Sequence, residues 1–147
     1  MKKIVVSIIV LVSVIIVLFS YYGTLLSSKY VFPHTEKIYE INYGHYIQNG
    51  EVKLYSKQFL KTEEIDEILR ILDSEKYRRS MGTKNIKNNN KVIIATVLYY
   101  DEYGESRNYN IEINDKGELL SNNKKYHTKN NKINIFNSLY EYFNIKL

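Results

Sequence analysis

The chain has 147 residues, a net charge of +5 and no cysteine. Without cysteine there is no disulfide, no thiolate nucleophile, no Cys-ligated zinc and no lipidated Cys at a processed N-terminus. Lys2 and Lys3 carry two of the charges, which leaves +3 on the rest of the chain, too mild a bias to point to nucleic acid as a partner.

The first segment, Ile4 to Phe19, reads IVVSIIVLVSVIIVLF, and 14 of its residues are Ile, Val, Leu or Phe. At roughly −0.3 to −0.6 kcal/mol each, they favour membrane insertion by about 4 to 8 kcal/mol. No charge falls between Lys3 and Lys29, and as a helix that stretch is about 37 Å long against a hydrocarbon core of about 30 Å. Tyr21 and Tyr22 stand where an interfacial aromatic belt belongs. A signal peptide is the competing reading, with its basic start, shorter apolar run and A-x-A-like cleavage site. Here the run is longer, no A-x-A follows it, and Leu25-Leu26-Ser27-Ser28 is a poor substitute. The expectation is an uncleaved anchor over residues 1–28, with secretion after cleavage as the alternative. Lys2, Lys3 and the free amine favour a cytoplasmic N-terminus and an extracytoplasmic remainder, although Lys29 and Lys37 weaken the asymmetry.

Residues 29–36 read as a linker, with Pro33, the only proline, barring any continuation of the anchor helix. The remaining residues, 37–147, are enough for one modest core. Lys37 to Tyr46 alternates as a strand with Tyr39, Ile41 and Tyr43 on one face. Asn49-Gly50 then supplies the positive φ angles of a tight hairpin turn before Glu51 to Tyr55. Thr62 to Glu75 has the marks of a helix: Thr62 as cap, acids in the first turns, and a stripe of Ile65, Ile68, Leu69 and Leu72. Asp66 and Arg70 are spaced for a surface ion pair. Tyr77 to Asn90 is polar and aperiodic and reads as a loop. Lys91 to Tyr100 is apolar on both faces, as a central strand is.

After a turn at 101–105, Arg107 to Asn114 alternates, with Tyr109, Ile111 and Ile113 inward and Asn108, Asn110, Glu112 and Asn114 outward. Gly117 marks another turn, and Glu118 to Ser121 and Lys125 to Thr128 are short strand candidates. Lys132 to Phe143 closes the chain as a helix capped by Asn131, with Ile135, Phe136, Leu139, Tyr142 and Phe143 on its apolar stripe. The expected fold is α+β: a mainly antiparallel sheet of four to five strands packed on two amphipathic helices, in the order β-β-α-β-β-(β)-α, behind one transmembrane helix.

Chemistry is sparse in this pattern. His34, His45 and His127 show no metal-ligand spacing, and no cofactor motif or nucleophile elbow occurs. Ser80 follows a helix, where no helix N-terminus is available to stabilise negative charge. The acids from Glu63 to Glu67 match the helix dipole as a solvated first turn. Two acid-free basic stretches remain, one holding Arg78, Arg79, Lys84 and Lys87, the other Lys124 and Lys125. They read either as solvated loops or as a positive rim meeting anionic headgroups or an anionic envelope polymer. The strand tyrosines, among 15 in the chain, read either as half-buried sheet positions or as a surface for a peptide or glycan.

With the apolar N-terminal segment, the Ile65–Leu72 helix, the Tyr-rich strands and the closing helix, the chain resembles the small membrane-anchored extracytoplasmic proteins of unknown function from clostridia and related Firmicutes. The resemblance is one of layout and transfers no catalytic residue and no cofactor. The function expected from the residues themselves is a non-enzymatic binding or interaction module at the outer membrane face, of the accessory, immunity or regulatory kind, acting on a protein, peptide or envelope polymer. The alternatives are a small envelope enzyme whose site is assembled only in the fold, and a structural subunit of a membrane complex.

Overall fold

The computed structural model of the protein describes residues 2–48, 51–88, 90–129 and 135–145. It begins with helix α1 (Lys2–Gly23), whose apolar residues from Ile4 to Phe19 are all exposed. One such helix is compatible with a single-pass anchor or with a signal sequence. After a short α2 (Ser28–Val31) and one 3-10 turn at Thr35–Lys37 come strands β1 (Ile38–Gln48) and β2 (Glu51–Phe59), then helix α3 (Thr62–Asp73). Strands β3 (Tyr77–Arg79), β4 (Val92–Tyr100), β5 (Ser106–Asn114), β6 (Glu118–Ser121) and β7 (Lys124–Thr128) follow, and α4 (Ile135–Ile145) closes the described chain.

The strands form one sheet in the order β2-β1-β4-β5-β6-β7-β3, and every neighbouring pair is antiparallel. The fold is thus α+β as expected, with seven strands among the described residues where four to five were predicted. The doubly apolar β4 lies between β1 and β5. Its Ile93, Ala95 and Val97 join Ile41, Tyr43, Tyr109, Ile111, Ile113 and Leu119 in the main core under the helices. Val92 and Ile94 face the other way and pack with Ile86 and Leu120 in a smaller cluster. The rest of that second face is largely open, with Asn108 and Asn110 exposed.

Both helices cover the first face. Ile65, Ile68, Ile71 and Leu72 of α3 are buried, and Phe143 of α4 stacks on Tyr43 at 4.5 Å. The sequence expectation for α3 is corrected in two details. Thr62 lies inside the helix, while Lys61 holds the cap position and its carbonyl accepts the N–H groups of Glu64 and Ile65 at 3.0 and 3.1 Å. Arg70 donates to Glu67 through two bonds of 2.8 and 2.6 Å instead of pairing with Asp66, because the forked guanidinium meets both oxygens of one carboxylate. Asn114, expected to point outward, is buried; its amide donates to the Ile86 carbonyl and to Glu118, and its oxygen accepts the N–H of Glu118 at 2.8 Å. The Asn49-Gly50 turn, the Asn131 cap and the Lys132 start of the last helix lie outside the described residues, although Gln48 and Glu51 pair across the hairpin.

The largest departure is at 77–79, inside the expected loop. Tyr77, Arg78 and Arg79 pair with Thr128, His127 and Tyr126 as an edge strand. Three residues with two arginines give no periodic signal; the strand exists because β7 presents an edge to it. On its other side Tyr77 pairs with Leu26, each accepting the other's N–H at 2.8 and 3.0 Å. Residues 29–36, read as a linker, carry Val31 and Phe32, each 1% exposed and both in the main core.

Candidate functional site

The junction of α1 with the sheet gathers the basic residues singled out from sequence. The last turn of a helix leaves carbonyls without intrahelical partners. Arg79 supplies a donor from another element: its Nη1 lies 3.1 Å from the Tyr21 carbonyl. Its guanidinium also sits over the Tyr21 ring, 4.3 Å from the centroid, a cation–π arrangement. Tyr22 packs edge-on against Tyr21 at 5.0 Å. On the far wall the β6–β7 turn holds Asn122 and Asn123 at φ 45° and 60°, values that asparagine tolerates better than most side chains. Asn123 accepts a hydrogen bond from Lys84 at 2.9 Å. These groups enclose an open hollow of about 250 Å³, with Lys124 and Lys125 on its rim.

Four of the six basic candidates, Arg79, Lys84, Lys124 and Lys125, therefore meet in one place. Lys125 is committed to Glu118 at 2.8 Å. Burial alone raises the Glu118 carboxyl, but hydrogen bonds from Lys125 and Asn114 and the Lys125 charge carry it below the usual carboxylate value. Among the described residues no carboxylate pairs with Arg79, Lys84 or Lys124. Lys87 is elsewhere, bound to Glu112 at 3.3 Å. Arg78 alternates with Arg79 to the opposite face of the sheet, across from His127. Burial first, then the charges of Arg78 and Lys125, lower the His127 pKa against the pull of Glu118.

Sequence reasoning missed the partners that organise the site. Tyr21 was legible as an interfacial aromatic and Arg79 as part of a basic stretch, but 58 residues separate them. Their meeting depends on β3, which has no local signature. A second hollow of about 520 Å³ shares Arg79 and is walled by Leu25, Tyr30 and Lys76. A third, of about 350 Å³, lies between α2 and α3, where Ser28 donates to Asp73.

The other chemical candidates take structural places. His34, at φ 60°, stacks flat on Tyr99 at 4.3 Å. The side chain of His45 lies outside the described residues, and none of the three hollows is lined by His127. The Ser80 N–H donates to the Lys125 carbonyl at 3.0 Å, and its hydroxyl turns back to the neighbouring Met81 carbonyl at 3.3 Å. Among the described residues no three His, Asp or Glu side chains are grouped to hold a metal ion. No family model matches the chain, and neither a curated protein nor a solved structure matches it.

Proposed function

We propose that the protein is a single-pass membrane-anchored, extracytoplasmic and non-enzymatic binding module, whose head is held against the membrane surface to engage a protein, peptide or anionic envelope polymer. The observation that carries this reading is the junction. An exposed apolar helix continues, through the two Leu26–Tyr77 backbone bonds and the Arg79–Tyr21 contact, directly into the sheet. A tether needs no such fastening; a head that must present one surface at a set height does. The uncovered second face of the sheet, with Asn108, Asn110 and Thr96, is the surface so presented.

Placement is tested first. The chain lacks cysteine, so Tyr103→Cys at the exposed β4–β5 turn gives a unique label site. A membrane-impermeant maleimide labels intact cells if the head is outside; labelling only after lysis overturns the placement. Binding is tested by cross-linking the tagged full chain in membranes. One reproducible partner, lost on replacing Asn108 and Asn110 with bulky charges, is the expected result. An enzyme would instead require His127 or His45 beside an acid and a hydroxyl, and turnover abolished by its replacement. The full exposure of α1 also supports a structural subunit using that helix as its interface, which detergent co-purification through α1 alone would reveal.

A further inference from the structure

We infer that the hollow between α1 and the β6–β7 turn binds the phosphate headgroup of an anionic phospholipid, which makes the lipid part of the head's docking surface. The inference rests on the membrane reading of α1. Its first support is position. Counting from Ile4 at 1.5 Å per residue, Tyr21 and Tyr22 lie about 26 Å along the helix, at the outer boundary of a hydrocarbon core of about 30 Å. The hollow they line with Arg79 and Lys84 therefore opens at the headgroup layer.

Its second support is unspent donor capacity. A guanidinium has five N–H donors, and Arg79 commits one to the Tyr21 carbonyl. An ammonium has three, and Lys84 commits one to Asn123. Lys124 adds a third cation, and among the described residues none of the three has a carboxylate partner. Three cations in contact with one hollow, without counter-charge, match the several acceptor oxygens of a phosphodiester. The third support is the apolar rim. Tyr21 and Tyr22 both line the hollow, and Tyr21 is 51% exposed. A soluble anion has no use for such neighbours, whereas the glycerol and upper acyl region of a lipid covers them.

The test uses the full chain, reconstituted in nanodiscs of phosphatidylcholine alone or with phosphatidylglycerol, and counts retained lipid by native mass spectrometry after gentle release. Selective retention of phosphatidylglycerol is expected. The double change Lys84→Gln, Lys124→Gln is expected to weaken it by about tenfold or more, from two lost cations near an anionic headgroup. The double change Lys87→Gln, Lys116→Gln removes equal charge away from the hollow and is expected to leave retention unchanged. Equal loss in both pairs overturns the site in favour of general charge attraction. Equal displacement of the lipid by millimolar inorganic phosphate makes it a small-anion site and overturns the lipid assignment. Failure of the protein to float with vesicles after alkaline extraction overturns the membrane reading itself, and the inference with it; flotation without selectivity overturns the inference alone.

Discussion

Tyr77 connects three parts of the molecule. Its backbone bonds to Leu26, its ring meets Phe32 edge-on at 5.6 Å, and its hydroxyl donates to the Leu72 carbonyl near the end of α3. Tyr77→Phe leaves that buried carbonyl without the donor and should cost about 1 to 2 kcal/mol, read from urea unfolding. Tyr109 is similar, donating to the Pro33 carbonyl at 3.1 Å. Burial raises both phenols well above the usual tyrosine value, helped by Glu75 and Asp73 at Tyr77 and by Tyr99 at Tyr109. The unfolded chain releases these protons near pH 10 and the folded chain holds them, so stability is intact below pH 10 and falls above it. Burial raises Tyr126 in the same direction, so Tyr109→Phe should make the alkaline loss of stability shallower without abolishing it, as read from urea unfolding between about pH 9 and 12. Tyrosine abundance suggested half-buried sheet positions, yet Tyr43, Tyr77, Tyr109 and Tyr126 are buried. The composition carries no record of Leu72 and Pro33 carbonyls lying ready to accept two of those hydroxyls.

Elements with a strong period were legible, and elements made by their neighbours were not. β5, α3 and α4 carry a period that pointed to their apolar faces before any contact was known, Asn114 excepted, and β4, apolar on both faces, was legible as a central strand with no face singled out. β3 and α2 are three and four residues long and exist through the edges and pockets offered to them. Turns were legible where glycine has a conformational reason to be present. Gly117, at φ 79°, closes the β5–β6 turn, and a Cβ there would stand 2.6 Å from Thr128 Oγ1. Gly117→Ala therefore combines a disfavoured backbone region, about 1 to 2 kcal/mol, with a collision against β7. A fall in thermal midpoint is expected, and Gly117→Ala combined with Thr128→Ala should recover the part due to the collision. Full recovery would show the backbone angle to be immaterial.

At the scale of the whole molecule, the apolar helix was evident from composition alone, while the way the head meets it was not. The segment after α1 is part of the head: Leu26, Val31 and Phe32 are buried, and the Val31 carbonyl accepts from Ser121 at 2.6 Å. Burying three such side chains contributes about 5 to 8 kcal/mol, against a total stability of about 5 to 15 kcal/mol for a typical domain. A chain starting at residue 24 should fold cooperatively, and one starting at residue 37 should not, as judged by near-ultraviolet circular dichroism. For the basic site, sequence located the charges but not the grouping, since Arg79 and Lys124 belong to strands from different parts of the chain. The sheet order has one more outcome, in time. β3 is the first of the five strands after α3, yet it waits for β7, the last of them, as its partner. The strand that clasps Leu26 thus has no bed until residue 128 has been delivered, so the fastening of the head to its helix belongs to the end of biogenesis, and a ribosome stalled before β7 leaves the emerging chain free to swing.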